Sequence, residues 1–116
     1  MSSRKRKGDK GEEWAVNHLL ADGYDVLQRN YRFGRAEIDI VATKDDWLIF
    51  LEVKTRKNAD FGYPETFLSE PQQERIHMAA EEFTKDKTWE GKIRFDIIAI
   101  LWDGSKPVID HFEDAF

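Results

Sequence analysis

Cysteine is absent from the 116-residue chain, which excludes a disulfide framework, a thiol nucleophile and any thiolate-held zinc or iron–sulfur centre. Prolines number only three and glycines seven. No segment is long or biased enough to separate two domains, and no glycine pattern resembles a phosphate-cradling loop. The longest apolar run, Ile97 to Trp102, falls far short of the roughly 20 residues that span a bilayer. No apolar signal-peptide core follows Met1, so the expected location is cytoplasmic, with no membrane partner. The chain is instead rich in charge (35%) and has enough hydrophobic (41%) and aromatic (13%) residues to build one core.

The charge is unevenly placed. Arg4, Lys5, Arg6, Lys7 and Lys10 against Asp9 leave residues 1–10 at +4, so the other 106 residues carry −9 of the net −5. Residues 1–8 are expected to be a flexible basic arm and residues 9–116 a single domain. An acidic body is a poor polyanion binder unless some of its carboxylates converge on a cation.

Periodicity predicts the order αβββαββ, an α/β domain whose mixed sheet is flanked by helices. Ala15, Val16, Leu19 and Leu20 form a helical stripe over residues 10–22, with Asp9 as N-cap and Gly23 just past the end. Strands are expected at 24–28, 36–43, 47–54, 93–102 and 108–112, with turns at Asp45-Asp46 and Asp103-Gly104. Residues 55–66 read as an irregular loop broken by Gly62 and Pro64. A second helix starts at Ser69, with Gln72 at capping-box spacing and Pro71 in its first turn. It continues through Ile76, Ala79, Ala80 and Phe83.

The hairpin around Asp45-Asp46 carries the chemistry. Strict alternation puts Ile38, Ile40, Ala42, Trp47, Ile49, Leu51 and Val53 on one apolar face. The other face holds Glu37, Asp39, Val41, Leu48, Phe50, Glu52 and Lys54, apolar near the turn and charged at the open end. A two-residue turn pairs Lys44 with Trp47 and sets Asp39 opposite Glu52. Two carboxylates about 5 Å apart repel by roughly 3 kcal/mol at an effective dielectric of 20. A divalent cation, a shared proton or Lys54 could offset that repulsion. Oxygen donors without cysteine favour Mg²⁺ or Mn²⁺ over zinc. A plain charge pair at a strand end accounts for Glu52 and Lys54 equally well if Asp39 is set aside.

Ile38-Asp39 followed by Glu52-Val53-Lys54 resembles the PD-(D/E)xK signature of the restriction-endonuclease fold. Gly11-Glu12 with Ala15, Arg29-Asn30-Tyr31-Arg32, Glu37-Ile38-Asp39-Ile40, Phe50 to Arg56, Phe61-Gly62 and Arg94-Phe95-Asp96 extend the likeness. In that order they resemble the YraN-like proteins, a bacterial family related to archaeal Holliday junction resolvases. The resemblance implies a restriction-endonuclease-like core and a metal-dependent endonuclease site acting on DNA, including branched or structured DNA. On that template Asp39, Glu52, the Val53 carbonyl and Glu12 hold Mg²⁺ or Mn²⁺, and Lys54 stabilises the charge developing on the phosphate. Glu12 shares the buried stripe of its helix, whereas Glu13 reads as solvated. Relatives that cut junctions act as dimers, so a homodimer is implied although no interface is legible.

Two positions depart from the family pattern. Ala36 replaces the usual glycine, and Gln72 stands near an expected lysine. Gln72 either reaches the site or only completes the Ser69 cap. Arg29, Arg32, Arg35, Arg56 and Lys57 flank the site-bearing strands and could follow a phosphate backbone, although each singly reads as a surface charge. Glu37 lies one step further out, with solvation the plainer reading. Arg94 and Asp96 are expected to form an internal salt bridge. His18, His77 and His111 lack metal-ligand spacing and read as structural or exposed. Two other functions fit the same residues: a non-catalytic nucleic-acid-binding module that keeps the fold, and an interaction domain whose acidic cluster binds a structural ion.

Overall fold

A computed structural model describes residues 3–57 and 68–116, with side chains from Lys10 onward. The first helix, α1, spans Ser3–Ala21. It therefore begins two turns before the Asp9 cap expected from sequence. Lysine and arginine are good helix formers, and the Arg4–Lys7 stretch continues the helix backbone toward the N-terminus. Ala15 and Leu19 are fully buried beneath it. Gly23, at φ +85°, ends it as expected, with Tyr24 N–H bonded to the Leu19 carbonyl at 2.9 Å.

Strand β1 covers Asp25–Phe33, longer than the expected 24–28. Its antiparallel partner β2, Ala36–Lys44, extends it through Arg29 to Phe33. The connecting turn is Gly34-Arg35, with Gly34 at φ +61°. A register shift between Val26 and Gln28 leaves Leu27 extra and 52% exposed. Strand β3, Trp47–Arg56, pairs antiparallel with β2 in the expected register, Lys44 opposite Trp47 through Ile40 opposite Leu51. It also claims Thr55 and Arg56 from the expected loop. Phe61, Gly62 and Pro64 lie outside the described residues.

Helix α2, Glu70–Lys87, is capped by Ser69, whose side chain accepts from Gln72 N–H. Ile76, Ala79, Ala80 and Phe83 are buried, as their spacing predicts. The helix leads into β4, Lys92–Leu101, which runs parallel to β3. Strand β5, Val108–Phe112, returns antiparallel. The result is a five-stranded mixed sheet in the order β1-β2-β3-β4-β5, with one helix on each face.

One expectation fails in an informative place. Ala36 and Ile38 pack under α2 with Val41, Leu48 and Phe50, while Ile40 and Ala42 pack under α1 with Ile49 and Leu51. Residues two apart on a regular strand share a face, so β2 rotates between Ile38 and Ile40, at Asp39. Strand β1 turns alongside it. Tyr31 packs edge-on against Phe83 of α2, Arg29 meets the acids of α1, and Asn30 between them takes φ +55°.

Candidate active site

The β2–β3 ladder stops at Ile40 opposite Leu51, one step before Asp39 would meet Glu52. Beyond it a side chain replaces the ladder: Val53 N–H donates to Asp39 Oδ2 at 2.8 Å. The strand rotation thus turns the Asp39 carboxylate toward β3. Glu52 and Lys54 extend the α2 face past Leu48 and Phe50, with Lys54 Nζ 3.8 Å from Glu52 Oε1. Both side chains are largely buried, at 12% and 17% exposure.

This setting makes a second ionised carboxylate costly. Burial, then the neighbouring Asp39 charge and a hydrogen bond with its carboxyl, push Glu52 up to about 9. Glu37 adds to the rise and Lys54 opposes it. At neutral pH Glu52 therefore keeps its proton beside the Asp39 carboxyl. Of the three ways to relieve the repulsion, this setting favours a proton kept on Glu52, with Lys54 giving partial compensation.

The remaining expected residues gather at the same end of the sheet in looser relation to the pair. Glu12 lies in the buried stripe of α1, but its Oε1 is 3.7 Å from Arg29 Nη2. Among the described residues no three His, Cys, Asp or Glu side chains form a group that could hold a metal ion. Asp39 and Glu52 come together, and Glu12 contacts Arg29. For Val53, the group seen at work is its N–H. Gln72 is half-buried in the first turn of α2, where its N–H receives the Ser69 cap.

Among the basic residues, Arg32 pairs with Glu37 at 3.1 Å and Arg56 donates to the Thr55 carbonyl at 3.1 Å. Arg35, in the β1–β2 turn, and Lys57, just past β3, are exposed. All four lie around the open end of the hairpin. Sequence reasoning undervalued Arg29, which donates to Glu13 Oε1 at 2.8 Å as well as approaching Glu12. Its signals were the Arg29-Asn30-Tyr31-Arg32 run and its place among the cations flanking the site-bearing strands.

A second polar cluster occupies the α1 face. Asp96, fully buried, is gripped by Arg94 through both carboxylate oxygens, by His111 at 2.7 Å and by Asp114 N–H. Arg94 also donates to Tyr24 Oη. Burial alone would raise the Asp96 carboxyl, but these hydrogen bonds outweigh it and hold the group below the ordinary carboxylate range. The expected internal salt bridge is therefore present, and His111 has a structural role. Among the described residues no helix is long and apolar enough to cross a membrane.

Comparison with known proteins places relatives along the whole chain. The profile of the family described as "Uncharacterised protein family UPF0102" matches residues 11–100. A UPF0102 protein of Dictyoglomus turgidum is 47% identical over 117 residues, covering 98% of this chain and 99% of that protein. One from Christiangramia forsetii is 38% identical over 116 residues, covering 100% and 98%. Another, from Flavobacterium psychrophilum, is 39% identical over 116 residues, covering 100% and 98%.

Proposed function

The chain belongs to the UPF0102 family, and from that premise and the site geometry we propose that it is a divalent-metal-dependent endonuclease with a restriction-endonuclease-like core, acting on DNA. The carrying observation is the half-buried Asp39–Glu52 pair with Lys54 Nζ 3.8 Å from Glu52. A half-buried acid pair in which Glu52 keeps its proton is a ready site for a dication, which would replace that proton. The donors are hard oxygens, and Mg²⁺ or Mn²⁺ can keep several waters beside one or two carboxylates. Asp39 and Glu52 would hold the ion, which supplies Lewis-acid activation of a phosphodiester and of water.

Lys54 places an ammonium on the same face, where it can meet negative charge that grows on the phosphate in the transition state. Arg35, Lys57, Arg32 and Arg56 around the hairpin end suit contacts to a phosphate backbone, which position the substrate without reading its sequence. One observation favours a second reading, a nucleic-acid-binding module that retains the fold. No third acidic ligand joins the pair among the described residues.

Single-turnover cleavage and binding titrations on linear, flapped and four-way DNA, with Mg²⁺, Mn²⁺ or EDTA, separate the two. In the endonuclease reading, Lys54→Ala slows cleavage by about 10²-fold or more while DNA affinity falls by about tenfold or less. Equal cleavage by Lys54→Ala and wild type overturns the role given to Lys54. Wild-type protein that binds DNA but cleaves nothing above the EDTA control is a binding module.

A further inference from the structure

Read as sequence, Glu13 is a solvated neighbour of Glu12, and Arg29 is one cation among several. The fold joins all three. Arg29 lies on β1 opposite Ile40, next to the position facing Asp39, and its side chain reaches the acids of α1. Its Nη1 donates to Glu13 Oε1 at 2.8 Å, while Nη2 stands 3.7 Å from Glu12 Oε1. Glu13 is 61% exposed and Glu12 only 13%. The short contact thus anchors the guanidinium from the solvent side, and the longer one supplies counter-charge to a carboxylate that burial would otherwise penalise. Helix α1 comes close to β3 at this end of the sheet, where a Cβ on Gly11 would overlap the Thr55 hydroxyl.

We propose that Arg29, anchored by Glu13, is a positioning residue that holds Glu12 in reserve near the Asp39–Glu52 pair, and that a divalent cation bound by the pair replaces Arg29 as the counter-ion of Glu12. This rests on the metal-site reading above. A third carboxylate can join Asp39 and Glu52 only if positive charge arrives with it. The 3.7 Å contact is the one that can be exchanged. The 2.8 Å contact to Glu13 survives the exchange, so Arg29 is left neither buried nor unpaired.

The test is Mn²⁺ affinity measured by calorimetry on the full chain, with metal-free thermal unfolding as a check of folding. Glu12→Gln should weaken Mn²⁺ binding by roughly tenfold. Arg29→Gln should tighten it by roughly three- to tenfold, whereas Arg29→Lys, which keeps the charge, should stay within about twofold of wild type. Glu12→Gln combined with Arg29→Gln should bind like Glu12→Gln alone, because no carboxylate remains to be released. If Arg29→Gln does not fold, Glu13→Gln carries the test: it should weaken binding in the wild type and change nothing in the Glu12→Gln background. An effect of equal size in both backgrounds, or none in either, overturns the proposal and leaves the Asp39–Glu52 site standing. Folded wild type that binds no Mn²⁺ overturns both.

Discussion

The raised Glu52 carboxyl makes the stability of the metal-free protein depend on pH in an unusual direction. In the folded chain Glu52 keeps its proton up to about 9, whereas in the unfolded chain it loses the proton near the ordinary value of 4.5. Between those values folding takes up a proton. The stabilising effect is complete below the unfolded value and is lost as pH rises toward the folded one. Each pH unit removes about 1.4 kcal/mol, so the loss between pH 5 and pH 8 reaches up to about 4 kcal/mol from this one group. For a domain of this length that is a fall in Tm on the order of 10 °C. Glu52→Gln keeps the shape and removes the ionisation. Groups common to both proteins cancel when the two Tm–pH curves are subtracted. Asp96, held low, has its effect below about pH 4, the ordinary carboxylate value, outside the window. The expected result is a Tm difference that widens in favour of Glu52→Gln from pH 5 to pH 8. Saturating Mn²⁺ should flatten the wild-type curve by replacing the proton. Parallel curves for the two proteins would refute the reasoning, because Glu52 would then titrate as an ordinary exposed carboxylate.

Other expectations follow from the same contacts. Asp39→Asn should abolish the rise in Tm that Mn²⁺ gives the wild type, while its amide oxygen can still accept from Val53 N–H, so the metal-free fold survives; an undiminished Mn²⁺ response would remove Asp39 from the site. Asp96→Ala removes the bidentate, fully buried partner of Arg94, leaving Tyr24 Oη and a 3.6 Å contact to the exposed Glu113, and should cost about 3 kcal/mol in denaturant unfolding; a loss under about 1 kcal/mol, the range of exposed pairs, would contradict the assigned burial. Deleting residues 2–7 removes four basic side chains and should weaken binding to all DNA sequences alike and flatten the salt dependence; an unchanged slope in binding titrations would show that these residues do not contact phosphate.

Much of this molecule was legible from local chemistry. Alternation of apolar side chains, with a two-residue turn at Asp45-Asp46, determines the β2–β3 register, because a one-residue slip would expose the whole buried set. That register brings Asp39 to Glu52. The stripes of Ala15 and Leu19 and of Ile76, Ala79, Ala80 and Phe83 likewise determine which side of each helix is buried. Tertiary structure decided what depends on partners distant in sequence. Strict alternation could not show that β2 rotates at Asp39, because the rotation is shared with Asn30 on β1 and secured by the Val53 N–H. The length of β1 was set by its pairing with β2, which overrides the weak strand signal of Gln28 to Arg32. The choice of Arg29 as counter-ion for Glu12 and Glu13 was likewise tertiary. Any of several cations could serve in sequence, and only the packing of α1 against β1 brings one within reach. Periodicity constrains which face a side chain takes, whereas the pairing of charges depends on distances that only the folded chain defines.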